Sequence, residues 1–158
     1  MRIDRIVVNA SPLICLSKSG LLLLLPALFS EIVVPDEVYQ EITAKAGISL
    51  DLTKHFKKGS ALDVPTSVAS WDLGKGESAV LTFALKNPGY WAVIDDREAR
   101  RCAVALGCRH TGTVGIIVLA KKRGIIKSVR EALMKLQSAG LWLSESFITE
   151  ICRISGEE

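Results

Sequence analysis

Short apolar runs alternate along the chain with stretches whose apolar positions recur every three or four residues. The first pattern predicts buried strands and the second amphipathic helices. Ile3–Val8, Glu31–Val34, Trp91–Ile94 and Cys108–Thr111 read as strands. The helical pattern covers Pro12–Lys18, Leu21–Phe29, Pro35 to about Ala46, and Glu77–Lys86. It returns in DDREARRCAVAL, in TVGIIVLAKKRG, and over Ser128–Ala139 and Ser144–Ile154. Ser11 reads as an N-cap before Pro12, and Ser144 caps the last helix. Gly20, Gly107 and Gly124 close helices where the apolar period stops. Residues 47–72 mix Gly, Ser, Pro and Lys, which predicts a loop holding one short helix.

Short apolar strands separated by helices predict an α/β fold with a parallel sheet covered on both faces. The carboxyl ends of parallel strands share one edge, and ligands of such folds bind there. No repeat or composition shift divides the chain, so one domain is expected over 1–158. Its core spans about 3–140 and a C-terminal helix about 144–154.

Composition narrows the class. A chain of 158 residues, 49% hydrophobic, is long and apolar enough to bury a core. The net charge of +3 and pI near 8.7 are compatible with nucleic acid without singling it out. Four cysteines form no CxxC pair and no zinc-ligand spacing. Cys15, Cys102 and Cys152 lie in apolar helical settings, as buried free thiols do. The run GLLLLLPALF is too short to span a bilayer and is broken by Pro26. MRIDRIVV lacks the pattern of a signal peptide. A cytoplasmic protein with reduced thiols and no membrane contact is expected.

Polar chemistry recurs at the strand ends. Asn9 follows the first strand, and Glu41 lies on the helix after the second. Glu77 opens the helix after the long loop, and Asp95 and Asp96 end the WAVI strand. Carboxylates converging without basic partners repel one another, and a hard divalent cation such as Mg²⁺ or Mn²⁺ relieves that. Such a site can activate water and brace the leaving oxygen of a phosphodiester. Each group also has a structural reading. Asn9 suits a turn, Glu77 suits a first helical turn, and Asp95 or Asp96 suits an N-cap. Either Glu37 or Glu41 can face solvent. Arg97 sits in a first turn, where the helix dipole disfavours a cation. Pairing with Asp95 or Glu98, or a bound phosphate, would explain it. HTGT (110–113) joins hydroxyls to a helix N-terminus, which suits either capping or a phosphate contact.

The order VVNASPLICL, IVVPDEVYQEI, LGKGESAVLTFA, AVIDDREARRCAVALG, TGTVGIIVLAKKRGII resembles a PIN domain. It resembles the PIN-like subfamily of unknown function related to VapC-type toxins, over roughly residues 3–140. The resemblance implies a three-layer α/β/α fold with a central parallel sheet. It implies a Mg²⁺- or Mn²⁺-dependent endoribonuclease. The family's acids fall at Asn9, Glu41, Glu77 and Asp96, with Asp95 beside the last. Glu41, Glu77 and Asp96 would be catalytic, and all five would be metal ligands. The Thr or Ser near the metal falls at Thr111 or Thr113; apart from the resemblance, Ser11 and Arg97 join them as candidate substrate contacts. An RNA substrate, a homodimer and a cognate antitoxin that covers the site are further implied.

Position 9 departs from the family pattern, because most active PIN nucleases have Asp there. An amide oxygen can coordinate Mg²⁺ but adds no charge. Two readings stay open: a nuclease, with Lys75, Arg97, Arg100 and Arg101 as backbone contacts, and a weak or inactive module that binds RNA or a protein. A phosphoacceptor domain fits poorly, since no acid follows the first strand until Glu31.

Overall fold

The computed structural model describes residues 2–48, 50, 54–60 and 62–157. Strand β1 (Arg5–Val8) leads into helices α1 (Ala10–Lys18) and α2 (Leu24–Leu28). Then come β2 (Glu31–Pro35), α3 (Asp36–Ala46), β3 (Lys57–Gly59), α4 (Thr66–Ala69) and α5 (Lys75–Lys86). The chain continues through β4 (Trp91–Val93), α6 (Arg97–Ala105), β5 (His110–Thr111) and α7 (Thr113–Lys122). It ends in α8 (Val129–Ser138) and α9 (Glu145–Ile154).

The strands form one sheet in the order β3-β2-β1-β4-β5, and every pairing is parallel. Helices flank the sheet, giving the three-layer α/β/α fold. The central strand explains why: Ile6, Val7 and Val8 are all fully buried, which requires cover on both faces. Helix α3 packs on α5, α7 on α8, and α1 reaches α3, α7 and α8. No helix among the described residues is long and apolar enough to cross a membrane.

Several boundaries differ from the sequence expectation. Helix α1 starts at Ala10, so Asn9 and not Ser11 occupies the N-cap position. Pro12 therefore sits third in the helix, where an N–H would have no intrahelical acceptor anyway. The helix expected over 21–29 is confined to α2, and the first strand begins at Arg5 rather than Ile3. The expected loop over 47–72 holds the short α4, but also the strand β3. Positions 49, 51–53 and 61 of that loop lie outside the described residues, as do 1 and 158. β3 reads Lys-Lys-Gly and carries no apolar period because it is an edge strand. Its lysines reach Glu31 (3.6 Å) and Asp36 (3.6 Å).

Two long-range ties fix the helical layer. The Arg123 guanidinium, just past α7, donates to the carbonyls of Leu28 and Ile3, each at 2.7 Å. Near the C-terminus, the Glu157 carboxylate accepts from the amides of Val129 (2.6 Å) and Arg130 (3.3 Å), and Lys121 lies 3.3 Å away. Burial pushes the Glu157 carboxyl up, but those amides and the ammonium outweigh it and hold it below its ordinary value. A carboxyl lowered on folding stabilises above its unfolded pKa and loses that contribution as pH falls through the folded value. Glu157→Ala should cost about 1 kcal/mol at neutral pH, as loss of a helix cap does. Urea melts of parent and variant should converge below about pH 4.

Candidate active site

The sheet changes direction of winding beside β1, whose neighbours β2 and β4 lie on opposite sides. This is the switch point at which open parallel sheets bind ligands. Asn9 leaves the end of β1 there, and its backbone N–H donates to the Val93 carbonyl of β4 at 3.0 Å. The side chain is only 3% exposed, yet its Oδ1 has no hydrogen-bond partner among the described residues. A buried polar atom left unpaired costs about 1–3 kcal/mol, so it needs a reason.

Gly76, in the first turn of α5, supplies the geometry. A Cβ placed on it would lie 3.1 Å from Asn9 Oδ1, 3.3 Å from Glu41 Oε1 and 3.5 Å from a Val38 methyl. Two acceptor oxygens from β1 and α3 thus converge on a space that any side chain at position 76 would enter. The other oxygen of Glu41 lies 3.9 Å from Lys45, a largely exposed partner. Asn9 Oδ1 and Glu41 Oε1 both border that space, and oxygen donors are the ligands hard divalent cations take. The residues present fit Mg²⁺ or Mn²⁺ on that ground.

The remaining acids stand around this pair in other roles. The Glu77 carboxylate folds back to within 3.3 Å of the Cβ position of Gly74, at the start of its own helix. Asp96 caps α6, accepting from the Ala99 amide at 2.9 Å, and is exposed. Asp95 turns to α7, where Thr113 donates from its amide (2.8 Å) and its hydroxyl (2.5 Å). Thr113 is thereby committed to Asp95. Thr111 Oγ1 packs where a Cβ of Gly115 would sit. Ser11 is exposed in the first turn of α1, and Arg97 is exposed in the first turn of α6. Among the described residues, no three His, Cys, Asp or Glu side chains gather closely enough to hold a metal. The structure brings together Asn9 with Glu41, and Asp95 with Thr113; it does not draw all the acids into one cluster.

Cys15 of α1 lies close enough to feel Asp95. Burial, then that negative charge, raises its thiol pKa. All four cysteines are free; three are buried, and Cys15 is half-buried.

Sequence reasoning missed two glycines. Gly76 was hidden because its need arises from α1 and α3, far away in sequence; the GKGES stretch around it was the available signal. Gly112 is the other: a Cβ there would come within 2.8 Å of Asp95 Oδ1. Gly112→Ala should push Asp95 off Thr113 and lower stability by about 1–3 kcal/mol, read by thermal melting.

A parallel sheet with side-chain oxygens gathered at its switch point defines an open α/β domain whose ligand site lies at that edge. The sequence pattern of the PIN domain family matches residues 5–157, and the chain belongs to that family. The PIN domain is a nuclease fold whose members generally depend on a divalent metal. No curated protein matches the chain.

Proposed function

We propose that this PIN domain is a Mg²⁺- or Mn²⁺-dependent endoribonuclease. The observation that carries the reading is the buried, unpartnered Asn9 Oδ1 facing Glu41 Oε1 across Gly76. These two residues would hold the metal. When bound, a divalent ion lowers the pKa of water and stabilises charge on a phosphodiester in its transition state. Glu77, Asp95 and Asp96 stand at the same sheet edge and deepen its negative potential, which favours a cation over the bare phosphate backbone. Arg97 and Arg100, exposed on α6, balance that potential for the substrate. Neither makes an ion pair among the described residues, whereas Arg101 is held by Glu98 at 3.2 Å. Ser11 donates from the first turn of α1 to the substrate backbone. The toxin role, with an antitoxin and a homodimer, belongs to the same proposal, and native mass spectrometry of the purified protein tests the dimer.

The experiment is calorimetric titration of metal-free protein with Mn²⁺, run beside Glu41→Gln, together with cleavage of single-stranded RNA with and without chelator. Parent binding, at least about tenfold weakened in the variant, with chelator-sensitive cleavage supports the reading. Equal binding by both proteins removes Glu41 from the site.

Asn9 favours a second reading, a PIN module that binds RNA and cuts it weakly. A neutral amide contributes no charge to the metal, so the site starts with one carboxylate where two could stand. Metal binding without cleavage is the result that selects it.

A further inference from the structure

Beside Asp95 two clefts share Asp95, Arg100 and His110. The larger, about 610 Å³, runs between β5, the start of α7 and the C-terminal segment. Its far wall is apolar: Leu141, Leu143, Phe147 and Ile151. The smaller, about 460 Å³, lies along α6 and adds Arg97, Arg101 and Val104. Cations on one side and an apolar aromatic wall on the other meet at the carboxylate edge of the sheet.

The two walls have different chemistry, and one ligand class matches both. Arg97 and Arg100 are exposed and carry no acid partner among the described residues, so their charge is available to an anion. His110 is held at the junction by the Cys108 carbonyl, 3.2 Å from its Nδ1. Phe147 is 41% exposed although it lines the cleft, so a large apolar face awaits cover. A nucleotide carries a phosphate and a flat apolar base a few ångströms apart. The volume suits a single nucleobase with its sugar, since small-ligand sites span about 300–1,000 Å³.

We propose that this cleft takes one unstacked nucleobase of a single-stranded RNA, with the adjoining phosphate on Arg97 and Arg100. Phe147 and its apolar neighbours cover the base face. The site rests on the nuclease reading and adds to it a base-binding position at the carboxylate edge of the sheet, one that a duplex, whose bases are stacked away, does not fill. Charge complementarity sets the choice of nucleic acid over an apolar peptide, because a peptide would leave Arg97 and Arg100 without a partner.

The test is anisotropy titration of two labelled RNA strands of equal length in chelator, one with bases and one abasic. The parent should bind the base-bearing strand about tenfold more tightly. Phe147→Ala should erase that preference while leaving the abasic strand unchanged, Phe147→Trp should restore it, and Arg100→Ala should weaken both strands alike. Thermal melts establish that each variant is folded. Equal binding of both strands by the parent, binding of neither, or a preference that survives Phe147→Ala overturns the proposal. Equal binding is also the result expected if the apolar wall docks a protein instead. Cleavage in Mn²⁺, measured separately, distinguishes the two failures. A parent that cuts RNA without base preference loses the pocket and keeps the nuclease reading. A base preference without cutting does the reverse.

Discussion

Replacing Gly76 with alanine should weaken the protein's divalent-metal binding and its ribonuclease activity while leaving it folded. The added methyl would enter the space between Asn9 Oδ1 and Glu41 Oε1, at 3.1 and 3.3 Å. Asn9 Oδ1 cannot retreat far, whereas the Glu41 side chain, 31% exposed, gives way and carries its oxygen off the pair. Asn9 is anchored by its own backbone bond to Val93 and is 3% exposed, and Glu41 rides on α3, which packs directly against α5. Overpacking of this kind costs about 1–3 kcal/mol. Alanine in place of glycine in a helix returns up to about 1 kcal/mol. The net change in stability is small, whereas a ligand pair wedged apart loses the geometry that small, rigidly coordinated Mg²⁺ demands. Mn²⁺ affinity should fall about tenfold, and cleavage by up to about a hundredfold, the cost of a full ångström's misplacement. A variant that melts like the parent but binds Mn²⁺ about tenfold more weakly meets the expectation. Undiminished metal binding would show that the space over Gly76 is not where the ion sits.

How much of this was legible before the fold was known depends on the range over which each feature is built. The strands β1, β2 and β4 announce themselves because they are buried on both faces and read as continuous apolar runs. Asp96 was legible as a cap because capping is local: the carboxylate answers an amide three residues on. β3 was illegible because an edge strand needs no apolar face, and Lys57 and Lys58 protect it. The tie from Asp95 to Thr113 spans 18 residues and exists only because β4 pairs with β5. The ambiguity between Glu37 and Glu41 shows the same limit. Both lie on one face of α3, and helical period alone cannot separate them. The approach of α5 puts Glu41 Oε1 beside Gly76, while Glu37 Oε1 is buried without a hydrogen-bond partner among the described residues.

The second large effect runs in the opposite direction: Asn9→Asp should tighten Mn²⁺ binding by about tenfold or more, at the expense of the metal-free protein. The new carboxylate would lie where Asn9 Oδ1 lies, beside Glu41 Oε1 and out of contact with water. Two carboxylates so placed cannot both ionise cheaply without a cation, so the pair retains a proton to higher pH. A carboxyl whose pKa rises on folding binds more protons in the native state, and stability then falls as pH increases from about 4 through the raised value. Metal-free Asn9→Asp should therefore melt below the parent at pH 7 and approach it at pH 4. Saturating Mn²⁺ should reverse the order, because a ligand that binds only the folded state stabilises it in proportion to the logarithm of its excess. Cleavage separates the two functional readings. If the variant cuts RNA and the parent does so only weakly, the amide at position 9 is what restrains the nuclease. If both cut alike, the neutral oxygen suffices. If neither binds metal, the orphaned oxygen has another cause, and the pair at Gly76 is not a metal site.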